Sequence, residues 1–203
     1  MPVTDRRYHH GALREALVQA ALDAIRDVGP GGWSLRDLAR RAGVSHAAPA
    51  HHFGDKRGLL TAIATDGYRR LAAELDAAWQ MSGSFLEVGV AYVRFAVRHR
   101  AHFEVMYRPE LHHAGDEALI AARAASAEHL YGPVETEAAV DPSFDPEHAA
   151  VAAWSLVHGF AALWLNGNLP ATLGQDPEAA ARDVAAYLFR PPPGGDRALL
   201  GKP

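Results

Sequence analysis

Apolar residues recur at every third or fourth position along most of this chain, the spacing of helices that bury one face, and strand-like alternation is scarce. Leu13, Leu17, Ala20, Ala21, Ala24, Ile25 and Val28 trace a first helix, which Gly29-Pro30-Gly31-Gly32 stops. Residues 1–8 are polar and read as a mobile lead. A short helix begins at Ser34: Asp37, three residues on, can answer its free N–H groups, and Trp33 and Leu38 stand where a hydrophobic staple closes the entry. Its apolar face is Leu35, Leu38, Ala39 and Ala42. Gly43 then offers a turn, Val44 a plug for the corner, and Ser45 a cap for a second short helix. Leu60, Ile63, Tyr68, Leu71, Leu75 and Ala78 predict one long helix from Lys56 to about Trp79. Gly67 inside it marks a soft point or a close helix crossing.

Past Ser82-Gly83-Ser84 the pattern stays helical. Phe85, Leu86, Val88, Tyr92, Val93, Phe95 and Ala96 suggest one helix, Phe103, Met106 and Tyr107 a short one ending before Pro109, and Asp116 to about Tyr131 another. Asp145-Pro146 and Asp176-Pro177 each start a helix with an acidic cap and a proline at its first position. The former, to about 167, is apolar nearly all round and should be buried on more than one face. The latter runs to about 189. The expected fold is all-α: a three-helix unit in residues 1–55, a larger helical unit in 56–190 and a disordered tail in 191–203.

Charge changes this picture. The chain carries a formal net charge of −4, but residues 1–60 hold nine Lys/Arg against six Asp/Glu, and the remainder 11 against 18. The basic excess therefore lies with the short helices, where a nucleic acid would be met. The absence of cysteine excludes disulfides, thiol catalysis and thiolate metal sites. No stretch reads as long and apolar enough to span a bilayer, and a soluble cytoplasmic protein is expected. His9-His10 is a poor metal pair, since adjacent residues on a helix diverge, and His112-His113, in a Pro- and Gly-flanked loop, is a weak pocket candidate. Neither a metal nor a cofactor is expected. No Gly-rich phosphate loop, His-Glu-x-x-His pair or strand-to-helix serine elbow is present, so only the twelve histidines keep a small-molecule enzyme in play.

Two short helices around a glycine turn fit a helix-turn-helix DNA reader best, the alternative being an ordinary αα-corner in a helical bundle. In the first reading His46, Ala47, Ala48, Ala50 and His51 face the bases, small residues allowing close approach and histidines donating or accepting at base edges. Pro49 predicts a distorted or late-starting first turn. Lys56 opens the next helix, where its charge opposes the macrodipole. A DNA phosphate would explain that placement, although a solvated surface lysine also fits.

The His52-Phe53 pair with Lys56 shortly after, the opening YHHGALREALVQAAL and the trio Trp154, His158 and Gly159 together resemble the tetracycline-repressor (TetR) family, with a C-terminal domain of the Trp-His-Gly type. One departure stands out: the aromatic usually found three residues before the Phe is Ala50. The resemblance implies an N-terminal DNA-binding domain and a larger domain for ligand binding and dimerisation. It implies a one-component regulator, a repressor in the usual case, that binds near-palindromic double-stranded operator DNA as a homodimer and answers to an unknown small-molecule effector. On that reading Ser34, Arg36, Ser45, His46, Ala47, Ala48, Ala50, His51, His52 and Lys56 contact DNA. Tyr92, Phe95, Phe103, Met106, Tyr107, Trp154 and His158 are candidates for the pocket. Ala153, Val157, Phe160, Trp164, Val184 and Leu188, from the last two helices, are candidates for the dimer interface. The alternative is a helical small-molecule-binding protein without specific DNA recognition.

Overall fold

The computed structural model describes residues 4–138 and 145–189, with side chains for 12–132 and 145–186. Nine α-helices and two 3-10 turns account for the described elements, and no strand occurs among them. Helix α1 spans Thr4–Val28, so residues 4–8, expected to be mobile, belong to the helix. The side chains of His9, His10 and Leu188, and the expected tail at 191–203, lie outside the described residues.

Helix α2 is Leu35–Arg41, and both halves of its capping box form: the Asp37 amide donates to Ser34 Oγ at 3.2 Å and the Ser34 amide to Asp37 Oδ2 at 3.2 Å. The Ser34 hydroxyl, which donates to Asp37 Oδ2 at 2.6 Å, and then the Ser34 amide hold the Asp37 carboxyl below the usual carboxylate range. Helix α3 is Ala48–Phe53. Its cap is Ala47 rather than the expected Ser45, whose carbonyl instead closes a turn with the Ala48 amide at 3.0 Å. The later start resolves the problem of Pro49. In the first turn the missing N–H would have had no helical partner, and the ring is buried.

Helix α4 is Lys56–Ser82, capped by Asp55 accepting from the Gly58 amide at 2.7 Å. Here glycine is required by space: a Cβ on Gly58 would lie 2.0 Å from the Phe53 carbonyl oxygen. Gly67 is a close crossing rather than a soft point, since its Cβ would meet Met106 Sδ at 2.6 Å. That contact joins α4 to α6, Arg100–Met106, which follows α5, Phe85–Arg98. Helix α7 runs Glu117–Ala138, longer than the spacing suggested. Helices α8, Pro146–Leu165, and α9, Pro177–Phe189, complete the bundle.

One hydrophobic core runs through both units. Leu17, Ile25 and Leu38 connect by way of Leu59, Leu60 and Ile63 on α4 to Leu71, Tyr92, Phe95 and Val105. Each fully buried aliphatic side chain contributes about 1.5–3 kcal/mol, so α4 is held on both sides and couples them mechanically. Helix α8 departs from expectation twice. At 20 residues it is long and apolar enough to cross a membrane, and much of its apolar surface is left uncovered: Val151 and Leu163 are 47% and 45% exposed.

Candidate nucleic-acid interface and effector cavity

The α2–α3 corner presents one continuous outer surface. Ser45, His46, Ala47, Ala50 and His51 are exposed, as are Ser34 and Arg36 on the neighbouring helix. Ala48 and His52 are half-buried and form the edge of this surface. The scaffold behind it is fixed by the Arg41–Asp27 ion pair at 2.7 Å, which ties α2 to α1, and by the Arg14 guanidinium 5.2 Å from the centre of the Phe53 ring. Arg36 has no ion-pair partner among the described residues.

Lys56 is placed differently from expectation. Its ammonium donates to the carbonyls of Trp33 at 2.6 Å and Gly31 at 3.2 Å and lies 4.2 Å from the centre of the Trp33 ring. These contacts face the protein, pin the start of α4 to the α1–α2 loop, and give a reason other than a phosphate for a cation at that helix end. Partial burial pushes its pKa down.

A second bridge reaches the same helix end. Arg57 donates to the His112 carbonyl, the His113 amide donates to Thr61 Oγ1 at 2.9 Å, and His113 Nε2 lies 3.0 Å from Asp55 Oδ1. Sequence reasoning had given the His112-His113 loop no structural role. With more than 50 residues between the partners, no local spacing could have announced it.

In the larger unit, Tyr92 Oη is the centre of a polar cluster. It lies 2.8 Å from Tyr107 Oη, 2.8 Å from His158 Nδ1 and 3.3 Å from Trp154 Nε1. All four groups are satisfied when Tyr107 and Trp154 donate to the Tyr92 oxygen and Tyr92 donates to a neutral His158. Burial supports that protonation state: it pushes the Tyr92 and Tyr107 phenols up and the His158 imidazole down.

Two cavities flank this cluster. An inner one of about 350 Å³ between α4, α7 and α8 is lined by Tyr68, Tyr107, Arg123, Leu130, Tyr131 and Trp154, among others. An outer one of about 520 Å³ lies between the α1–α2 loop and α6–α8, with Phe103, Tyr107, Arg108 and His158 in its wall. Tyr107 thus borders both. Of the seven residues expected to line a pocket, Phe103, Tyr107, Trp154 and His158 do so; Tyr92, Phe95 and Met106 are wholly buried and line neither cavity.

Val157 and Phe160, expected at a dimer interface, are 8% and 6% exposed, and Val157 packs against Gly89 of α5. They belong to the protomer's own core because α8 turns that side towards α5. Ala153, Trp164 and Val184 are half-buried, while Val151, Ala152, Ser155 and Leu163 point outward.

A capped tri-helical reader joined by one continuous helix to a cavity-bearing bundle defines the helix-turn-helix class of transcription regulators. Residues 17–63 match the model of the bacterial regulatory proteins of the tetR family, and residues 85–188, which include Trp154, His158 and Gly159, match the tetracyclin repressor-like C-terminal domain. The chain belongs to the TetR family. Among curated relatives, the HTH-type transcriptional regulator BetI of Pectobacterium carotovorum subsp. carotovorum (strain PC1) is 51% identical over 49 residues, 24% of this chain and 25% of that protein. The chain therefore matches about a quarter of the length of these curated relatives. A solved structure of a protein of unknown function from Rhodococcus sp. RHA1 is 34% identical, with a TM-score of 0.73 over 90% of this chain and 96% of that one. The TetR family regulator PfmR from Thermus thermophilus shares the fold, at 23% identity and a TM-score of 0.68 over 85% of this chain and 96% of that one.

Proposed function

We propose that the chain is a ligand-responsive repressor that binds a near-palindromic operator as a homodimer in the bacterial cytoplasm. The observation that carries this reading is the exposed surface of the α2–α3 corner, with Arg36 on α2, the helix whose capping box is fully formed. Small side chains at Ala47 and Ala50 let the backbone approach the groove, and His46 and His51 offer the polar contacts to base edges. Arg36 contacts a phosphate, whereas Lys56 acts indirectly by pinning the start of α4 to the α1–α2 loop.

The uncovered apolar strip on α8 supports dimerisation, because a two-fold axis there would bury Val151 and Leu163 against their equivalents. Two readers so related would enter successive major grooves about 34 Å apart. The inner cavity takes the effector. Tyr68 and Leu71 in its wall belong to α4, the helix that carries the reader, so an occupant preferring a displaced α4 would weaken DNA binding, and DNA would weaken its binding in return.

The test is selection of bound fragments from the source genome, followed by fluorescence anisotropy on the fragment recovered. A repressor gives one strongly salt-dependent, sequence-specific complex with two protomers per site. Arg36→Ala should weaken binding to all sequences and lower the salt slope by about one unit. Binding without sequence preference would instead leave a helical small-molecule-binding protein.

A further inference from the structure

The inner cavity has an uneven chemistry. Tyr68, Tyr107, Tyr131 and Trp154 supply ring faces, and aromatic walls alone would suit a cation. No aspartate or glutamate lines it, however, and its one charged group is Arg123. The Arg123 guanidinium lies 5.7 Å from the centre of the Tyr68 ring and forms no ion pair among the described residues. Arg94, Arg100 and Arg182 of this unit are committed to carboxylates, at 3.2 Å from Glu178, 2.7 Å from Glu104 and 2.8 Å from Glu87, whereas Arg69 and Arg108, like Arg123, have no ion pair among the described residues. Arg123 is exposed, so water covers its charge while the cavity is empty, and it is the one charged group in the lining that an entering anion would meet.

Spacing along α7 reinforces this. Arg123, Ala127 and Tyr131 are four residues apart and share one face, with the small Ala127 opening space between two hydrogen-bond donors. Partial burial raises the Tyr131 phenol, which keeps its proton and can donate. Among the described residues its hydroxyl has no partner. The Tyr68 hydroxyl and the Trp154 N–H already donate elsewhere, to the Met106 carbonyl and to Tyr92, so they offer faces rather than polar contacts.

We infer that this cavity binds a small organic monoanion, an apolar body of one or two rings bearing a single carboxylate, with the carboxylate on Arg123 and Tyr131 and the body between the aromatic walls. The inference rests on the reading of this cavity as the effector site and adds the chemical class. A planar guanidinium pairs with a carboxylate through two parallel N–H bonds, so charge and geometry are recognised together. A neutral compound of the same shape would gain nothing from the Arg123 charge, and a cationic one would be repelled by it.

Isothermal titration of the full chain without DNA decides this, using phenylacetate and 2-naphthoate, their primary amides, and benzyltrimethylammonium. At least one carboxylate should bind about tenfold or more tighter than its amide, with no binding of the ammonium. Arg123→Gln should abolish the preference for carboxylate over amide, and Ala127→Phe should fill the cavity and weaken both. Failure of both carboxylates to bind, an amide binding as tightly as its acid, tighter binding of the ammonium, or unchanged carboxylate affinity in Arg123→Gln would overturn the inference. Release of the selected DNA fragment is measured separately. A carboxylate that binds through Arg123 without releasing DNA would confirm the ligand class and refute the induction reading. DNA release by the ammonium alone would do the reverse.

Discussion

The unit built from α1–α3 and the bundle built from α5–α9 treat their polar groups in opposite ways. In the former, ion pairs and caps such as Arg41–Asp27 and Ser34–Asp37 lie at the surface and brace thin helices, leaving small residues and histidines facing outward. In the latter, Tyr92, Tyr107, Trp154 and His158 satisfy one another inside, beside cavities. A surface meant to meet DNA needs rigidity behind it and unoccupied groups in front. A cavity meant to receive a small molecule needs an apolar wall whose few polar atoms are already spoken for, so that the remaining ones select the ligand. Helix α4 belongs to both and carries polar links to each. It is tied to the reader through Lys56 and to the bundle through Tyr68 and the Gly67–Met106 crossing.

The comparison breaks most sharply at Gly58. A Cβ there would collide with the Phe53 carbonyl, so Gly58→Ala should displace α3 and lower DNA affinity at least about 100-fold, while circular dichroism shows the helix content retained. A variant that binds DNA normally would show that the α3–α4 joint is not rigid.

Lys56→Ala and Tyr92→Phe test the two units separately. Loss of the Lys56 bonds should destabilise the reader by about 1.5–3 kcal/mol in urea unfolding, as expected for bonds to a charged donor, with the salt slope of DNA binding unchanged. A slope reduced by one unit would restore the phosphate contact. Tyr92→Phe leaves His158, Tyr107 and Trp154 without their shared partner and should cost about 1–3 kcal/mol, with DNA affinity intact in the absence of ligand.

The smallest effect is on pH. His99, His112 and His158 all have imidazoles pushed below their usual pKa, chiefly by burial, so the unfolded chain takes up protons first as pH falls. Stability should be level above about pH 6.5 and decline below it, and His158→Asn should flatten part of that decline in thermal melts at pH 7.5 and 5.5. Asp66 works in a different window. Bonds from His102 and Arg70 hold its carboxyl at about 2, so its contribution persists at pH 5 and is lost only as pH falls from the ordinary carboxylate range towards 2.

Much of the architecture was legible because its causes are local. Ser34 and Asp37 lie three residues apart, Asp145 caps the helix that Pro146 opens, and the periodicity of α4 needs no partner to be seen. The start of α3 was misplaced by local reasoning as well. Ser45 is a good cap in isolation, but burial of Pro49 and the turn closed on Ala48 move the helix start to residue 48. Outward and inward apolar residues of α8 could not be told apart, since a helix apolar on every side carries no phase, and only packing on α5 puts Val157 inside and Val151 outside.

What the sequence by itself determined is therefore the set of helices, their caps, the short reader and its exposed histidines, since each depends on residues within a turn or two. The tertiary structure decided what the charges and hydroxyls are for. Lys56 meets carbonyls up to 25 positions away, Tyr92 meets His158 at 66, and Arg182 meets Glu87 at 95, whereas Arg123 meets no carboxylate at all among the described residues. A polar side chain takes its role from whichever partner the fold brings within about 3 Å, and that distance is a property of packing rather than of order along the chain.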